Sequence, residues 1–170
     1  GEIIVKAGVR FNMNEARIRA MLANANHAAL VPYSNTIIEN GHVEVDSLGS
    51  PGTSAGAHCP IRIGAIPSDA GTVASPAPGE AATGWIIRNM ILETDKWVDR
   101  GDGNMVGAPG IQLYGNCNNG IIEGITIPNN TRMAGGIMAD WSFLGTLASS
   151  ATLANMNANR AAFDAPLSPV

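Results

Sequence analysis

Four carboxylates gather around one tryptophan in Glu93-Thr-Asp95-Lys-Trp97-Val-Asp99-Arg-Gly-Asp102-Gly-Asn104. Paired carboxylates are what glycoside hydrolysis needs: one gives a proton to the leaving oxygen, and the other acts as base or nucleophile. An exposed indole suits the apolar face of a sugar ring. The plainer reading of the same residues is a solvated, glycine-rich loop. The spacing misses an EF-hand, because Gly101 stands at the third position and Asn104 where the sixth-position glycine belongs. Calcium held by a looser carboxylate cluster is the weaker alternative. Arg100-Gly101-Asp102 spells an integrin tripeptide, a length that chance readily supplies. A second group, Tyr114, Asp140 and Trp141, combines aromatics with a carboxylate near the later strands. It suits saccharide binding, or equally a Trp plug over the end of a core.

Composition bounds what these residues can serve. The chain has 170 residues, enough for one domain, and its 45% hydrophobic against 14% charged content argues for a folded core. Twenty Gly and ten Pro with few aromatics favour many short strands over a helical bundle. The net charge of −4 and the lack of any Lys or Arg run exclude a phosphate-tracking surface, so nucleic acid is not an expected partner. No apolar segment approaches the roughly 20 residues that span a bilayer, and no signal-peptide core opens the chain. Membrane insertion is not expected either. The first residue is Gly rather than Met, which suggests a processed or excised piece. Cys59 and Cys117 are too few for a structural zinc site; two buried hydrophobes is the plainer reading, and a disulfide is the alternative. No metal or cofactor is expected.

Several elements are needed to position the candidates. Asn12 with Glu15 approximates a capping box, and Ile18, Met21, Leu22, Ala25 and Ala29 recur at helical spacing, which predicts a helix over 12–30 ended by Pro32. Val43 and Val45 alternate with polar neighbours after Asn40-Gly41, which predicts strand, turn, strand. Ile61-Arg62-Ile63 predicts another strand after a Ser/Gly/Pro/Thr/Ala loop. Residues 65–83 and 93–109 read as long insertions, and 147–163 as a marginal helix before an extended tail with Pro166 and Pro169.

Two stretches repeat. Gly84-Trp-Ile-Ile-Arg-Asn-Met-Ile-Leu92 matches Gly120-Ile-Ile-Glu-Gly-Ile-Thr-Ile127, and Gly110-Ile-Gln-Leu-Tyr114 matches Gly136-Ile-Met-Ala-Asp140. Stacking like on like predicts inward ladders Ile61, Ile111, Ile137 and Ile63, Leu113, Ala139. It predicts outward ladders Arg62, Gln112, Met138 and Gly64, Tyr114, Asp140.

The run Gly110 to Ile127 resembles the coil of right-handed parallel β-helix proteins, such as phage tailspikes and pectate-lyase-like polysaccharide enzymes. Asn89 fits that family's inward asparagine, whereas Gly124 replaces it in the later coil. The resemblance covers roughly residues 36–142. It implies about three coils, with the helix over 12–30 as an N-terminal cap. So short a stack leaves open ends, which implies a homotrimer or larger assembly. A looser likeness joins Gly41-His42 and Ser54-Ala-Gly-Ala-His58-Cys59-Pro-Ile-Arg62 to L,D-transpeptidases, which set a thiolate beside an imidazole. His58 before the cysteine, Pro60 after it and Val43 after the first histidine depart from that pattern. Rapid labelling of Cys59 near neutral pH is what that likeness implies.

The sequence is therefore read as a single all-β domain over 1–170. It comprises a short right-handed parallel β-helix over 36–142, an N-terminal capping α-helix, and a weak C-terminal helix and tail over 146–170. The expected role is a structural or receptor-binding component of a virion or cell-surface assembly, extracellular or on the virion, facing a polysaccharide or glycan. Polysaccharide lyase or glycosidase activity is the alternative, and a cysteine transpeptidase the second. Asp99, Asp102 and Asp140 are the candidate catalytic carboxylates, and Trp97, Arg100, Tyr114 and Trp141 the candidate ligand contacts.

Overall fold

The structure is a computed structural model that describes residues 2–22, 28–47, 59–64, 82–94, 97–99, 105–107, 109–114, 117–129, 133 and 135–140. These residues form strands and connections and contain no helix. In chain order the strands are β1 (Ile3–Val5), β2 (Arg10–Asn12), β3 (Arg17–Leu22), β4 (Ala28–Pro32), β5 (Ile37–Ser47), β6 (Cys59–Ile63) and β7 (Ala82–Thr83). They continue with β8 (Ile86–Thr94), β9 (Trp97–Asp99), β10 (Met105–Gly107), β11 (Pro109–Tyr114), β12 (Cys117–Asn118), β13 (Ile121–Thr126) and β14 (Gly135–Asp140).

Almost all pairing is parallel. One five-stranded sheet runs β1-β4-β6-β11-β14 and a second runs β13-β8-β5-β2, with β3 also on β5. β7 and β12 form a small parallel pair, and β9 with β10 is the one antiparallel pair among the described residues.

Register follows the apolar ladders. In the first sheet Ile3, Leu30, Ile61, Ile111 and Ile137 are successive partners. The predicted pairings of Arg62 with Gln112 with Met138, Ile63 with Leu113 with Ala139, and Tyr114 with Asp140 all occur. In the second sheet Phe11, Ile38, Ile87 and Ile122 align, which pairs the two repeated stretches with each other. The inner faces of the two sheets share one core, in which Leu30, Ile61, Ile111, Ile38 and Ile87 are fully buried. A buried side chain of this size contributes about 2 kcal/mol, and a one-residue slip would turn the whole ladder outward. Stacking begins at Ile3 and uses five strands in the first sheet, more than the three coils expected.

Three expectations are corrected. No helix covers 12–30: Asn12 ends β2, and β3 and β4 occupy Arg17–Leu22 and Ala28–Pro32. In β3, Ile18, Ala20 and Leu22 turn toward the core while Arg17, Arg19 and Met21 are exposed, a period of two. The side chain of Asn12 accepts from the Asn14 amide at 2.9 Å, so it closes a turn rather than capping a helix. Asn40-Gly41 makes a corner rather than a hairpin, since β5 pairs parallel to β8 on both sides of it. Arg62 and Gln112 are not on an open wall: both are buried, Arg62 beside Glu2 at 3.2 Å and Gln112 accepting from the Cys59 thiol at 3.9 Å. The predicted C-terminal helix and tail lie outside the described residues.

Two columns of left-handed backbone turn the chain between strands. Gly8, Asn35, Gly84 and Asn119 form the first, with φ of 77°, 55°, 70° and 50°. Amides of Gly8, Asn35 and Gly84 donate to the carbonyls of Ser34, Thr83 and Asn118 in the next layer. Asn14, Asn40, Asn89 and Gly124 form the second, with Asn89 donating to Asn40 Oδ1 at 3.1 Å. Asn and Gly are the residues that tolerate this conformation. A Cβ at Gly124 would also lie 2.6 Å from Asn89 Oδ1, so the Asn89 side chain would have to shift.

Candidate functional site

Beside the second corner lies an open cleft of about 500 Å³. Asn12, Asn14, Asn40 and Asn89 supply amides to its wall, joined by Glu15, His42 and the half-exposed Ile91. The sequence builds it in a simple way. Three successive layers place an asparagine where the chain turns left-handed at this corner, Asn14, Asn40 and Asn89, and Asn89 donates to Asn40 along the edge. Glu15 follows Asn14 with a left-handed φ of 65°, a conformation costing about 1–2 kcal/mol for a residue with a side chain. Its amide donates to the Asn40 carbonyl at 2.7 Å, which holds the strained turn in place.

His42 is the titratable group that other side chains orient. Register sets it between Arg17 on β3 and Ile91 on β8, with Glu44 and Glu93 paired two residues on. Its Nε2 lies 2.8 Å from Glu93 Oε2, and each side chain is 20% exposed, so the pair is reachable from solvent. Arg17 Nη2 donates to Glu44 and stands 3.6 Å from the same Glu93 oxygen. Arg19 donates to Asp46 at 3.0 Å. Charges on this face are thus largely neutralised by their neighbours, which leaves amides, an imidazole and the Glu15 carboxylate to meet a ligand.

Glu39 lies on the same sheet between two guanidinium groups. Arg10 and Arg88 both donate to its carboxylate, Arg88 Nε at 2.7 Å, and these hydrogen bonds, Arg10's first, hold its pKa below the usual glutamate value. A carboxylate so engaged is structural rather than reactive.

The residues singled out from sequence divide. Tyr114 and Asp140 are register partners, as expected. Trp97 and Asp99 lie on β9, opposite Gly107 and Met105 of β10. Arg100, Asp102 and Trp141 lie outside the described residues. Glu93, counted with the loop carboxylates, belongs to β8 and joins His42 instead. That pair was missed, although a signal existed: Ile37-Ile-Glu-Asn40 and Ile86-Ile-Arg-Asn89 share one pattern and stack in one register.

His42 and Cys59 lie on strands of different sheets. Cys59 is fully buried, and burial pushes its thiol up to about 12, so it carries almost no thiolate near neutral pH. Both cysteines are free thiols, Cys117 donating to the Ile63 carbonyl. Among the described residues no three His, Cys, Asp or Glu side chains are grouped to hold a metal ion. Compared with protein-family models, curated proteins and solved structures, the chain matches none.

Proposed function

We propose that the chain is a right-handed parallel β-helix serving as a structural or receptor-binding component of a virion or cell-surface assembly, with its asparagine-lined edge facing carbohydrate. The observation that carries the reading is the cleft. Four amides provide donors and acceptors together, which vicinal hydroxyls match, and Ile91 offers apolar surface to the C–H face of a sugar. The neighbouring arginines are already engaged by Glu44, Asp46 and Glu39, which favours an uncharged polyol over a phosphate.

A glycan array followed by calorimetry on the best ligand tests this. Binding is expected, and Glu15→Gln or His42→Gln should weaken it about tenfold or more, the effect of losing one charge-assisted hydrogen bond. Failure to bind any glycan, or binding indifferent to both changes, removes the proposal.

Cleavage is the second reading, favoured by His42, held by Glu93, lining the same cleft as Glu15. In hydrolysis, one of His42 and Glu15 would take a proton from the attacking water and the other would give one to the leaving oxygen. New reducing ends would then appear with wild type and vanish in His42→Gln. Asp99→Asn and Asp102→Asn report whether the loop carboxylates carry the chemistry instead.

A further inference from the structure

Asparagine is followed by glycine at two places in the chain, Asn40-Gly41 and Asn119-Gly120. The pairing matters chemically, because the amide nitrogen of a residue without a side chain can reach the carboxamide carbon that precedes it. Both asparagines stand at left-handed corners, with φ of 57° at Asn40 and 50° at Asn119. Neither glycine can be exchanged without displacing a packed side chain. A Cβ at Gly41 would run into Met13, and one at Gly120 into the ring of Trp85, whose indole N–H donates to the Ala82 carbonyl at 3.1 Å. The fold therefore retains two reactive steps.

Packing treats the two differently. Asn40 is half-buried, its Oδ1 accepts from Asn89 Nδ2 at 3.1 Å and its Nδ2 donates to Asn12 Oδ1 at 3.4 Å. Gly41 is buried within β5 opposite Met90, and β5 pairs with β8 on both sides of this corner. Asn119 and Gly120 are both exposed and lie between β12 and β13 rather than on a strand. Among the described residues the Asn119 carboxamide makes one side-chain hydrogen bond, a donation to Thr83 Oγ1 at 3.4 Å. Such a corner opens at little cost.

We propose that Asn119 is a site of spontaneous deamidation and that the fold spares Asn40. When the exposed corner opens, the Gly120 nitrogen loses its proton to hydroxide and bonds to Asn119 Cγ. The Cγ–Nδ2 bond breaks and ammonia leaves. Water then opens the resulting succinimide at one of its two carbonyls, which leaves aspartate or isoaspartate. Aspartate puts a carboxylate where the amide had donated to Thr83. Isoaspartate also lengthens the main chain by one methylene, between the Asn118 carbonyl that accepts from Gly84 and the Ile121 amide that donates to Trp85. An aged chain thus gains negative charge and loosens at this corner, while the cleft keeps its Asn40 amide. The inference holds whatever the cleft binds.

Peptide mapping by mass spectrometry after incubation of the folded chain at pH 8 and 37 °C tests it, with isoaspartyl methyltransferase labelling to read isoaspartate. The Asn119 peptide should gain one mass unit about tenfold faster than the Asn40 peptide, a ratio set by the cheaper local opening. In concentrated urea both should convert at similar rates, since the dipeptide is the same and the packing is gone. Asn89→Gly suits its left-handed corner and removes the donor that holds Asn40 Oδ1. It should speed conversion at Asn40 several-fold and leave Asn119 unchanged. Equal rates at the two steps in the folded wild type, or faster conversion at Asn40, overturn the proposal. So does an Asn119 that converts no faster than asparagines without a following glycine. An Asn40 as slow in urea as in the folded chain overturns the account of its protection.

Discussion

Glu39 shows how one side chain can be decisive yet hidden from local sequence. Nothing in Ile-Ile-Glu-Asn tells that the carboxylate will be buried, or that Arg10 and Arg88 will reach it from both neighbouring strands. Its lowered pKa gives a direction for acid stability. In the unfolded chain Glu39 takes a proton near the ordinary 4.5, whereas in the folded chain it does so only at lower pH. Its contribution is therefore complete above 4.5 and is lost as pH falls through the folded value. Urea midpoints measured from pH 6 to pH 3 should fall for wild type. In Glu39→Gln they should start lower and fall less. His42 was legible as a candidate group, but its partner Glu93 was not. In a parallel sheet the diagonal neighbour is fixed by register, and register depends on the lengths of intervening loops.

At the level of elements, the misread segment 12–30 is instructive. Ile18 and Leu22 stand four apart and so satisfy both a helical and an alternating pattern, with Ala20 between them too small to decide. The choice falls to β5, which offers a full parallel edge from His42 to Ser47. Local spacing cannot reveal a partner that lies one whole layer further along the chain. By contrast Gly84–Leu92 and Gly120–Ile127 betray each other by direct likeness, and they pair in parallel, Ile86 on Ile121 and Ile87 on Ile122. The corners are testable elements as well. Gly124→Ala combines a left-handed φ of 61° with a Cβ pressed against Asn89, so it should cost about 1–3 kcal/mol in urea unfolding. Gly135→Ala meets no atom within 4 Å and should cost well under that.

Among the described residues, each strand of the two five-stranded sheets pairs mainly with the strands beside it. Stability in such an array is close to a sum over neighbours, so terminal strands have one partner where inner strands have two. Amide hydrogen exchange should be slowest in β5 and β8 and fastest in β1, β2 and β13, and uniform protection would contradict the nearest-neighbour description. The ladders of the first sheet were legible because isoleucines repeat in register. The burial of Arg62 was not, since its cover includes Glu2, far away in sequence and on no repeat.

The left-handed columns carry a consequence for how such a chain can vary. Asn35 and Asn40, Gly84 and Asn89, Asn119 and Gly124 are equally spaced, so one side of these three layers has the same length, while Gly8 and Asn14 stand one residue farther apart. Among those three layers the differences in length fall on the other sides, between the second corner and the next first corner. Foreign segments grafted there would leave the corner hydrogen bonds undisturbed, and the first layer shows that the corner itself absorbs extra residues, since β2 and β3 both pair with β5 on either side of Asn14 and Glu15.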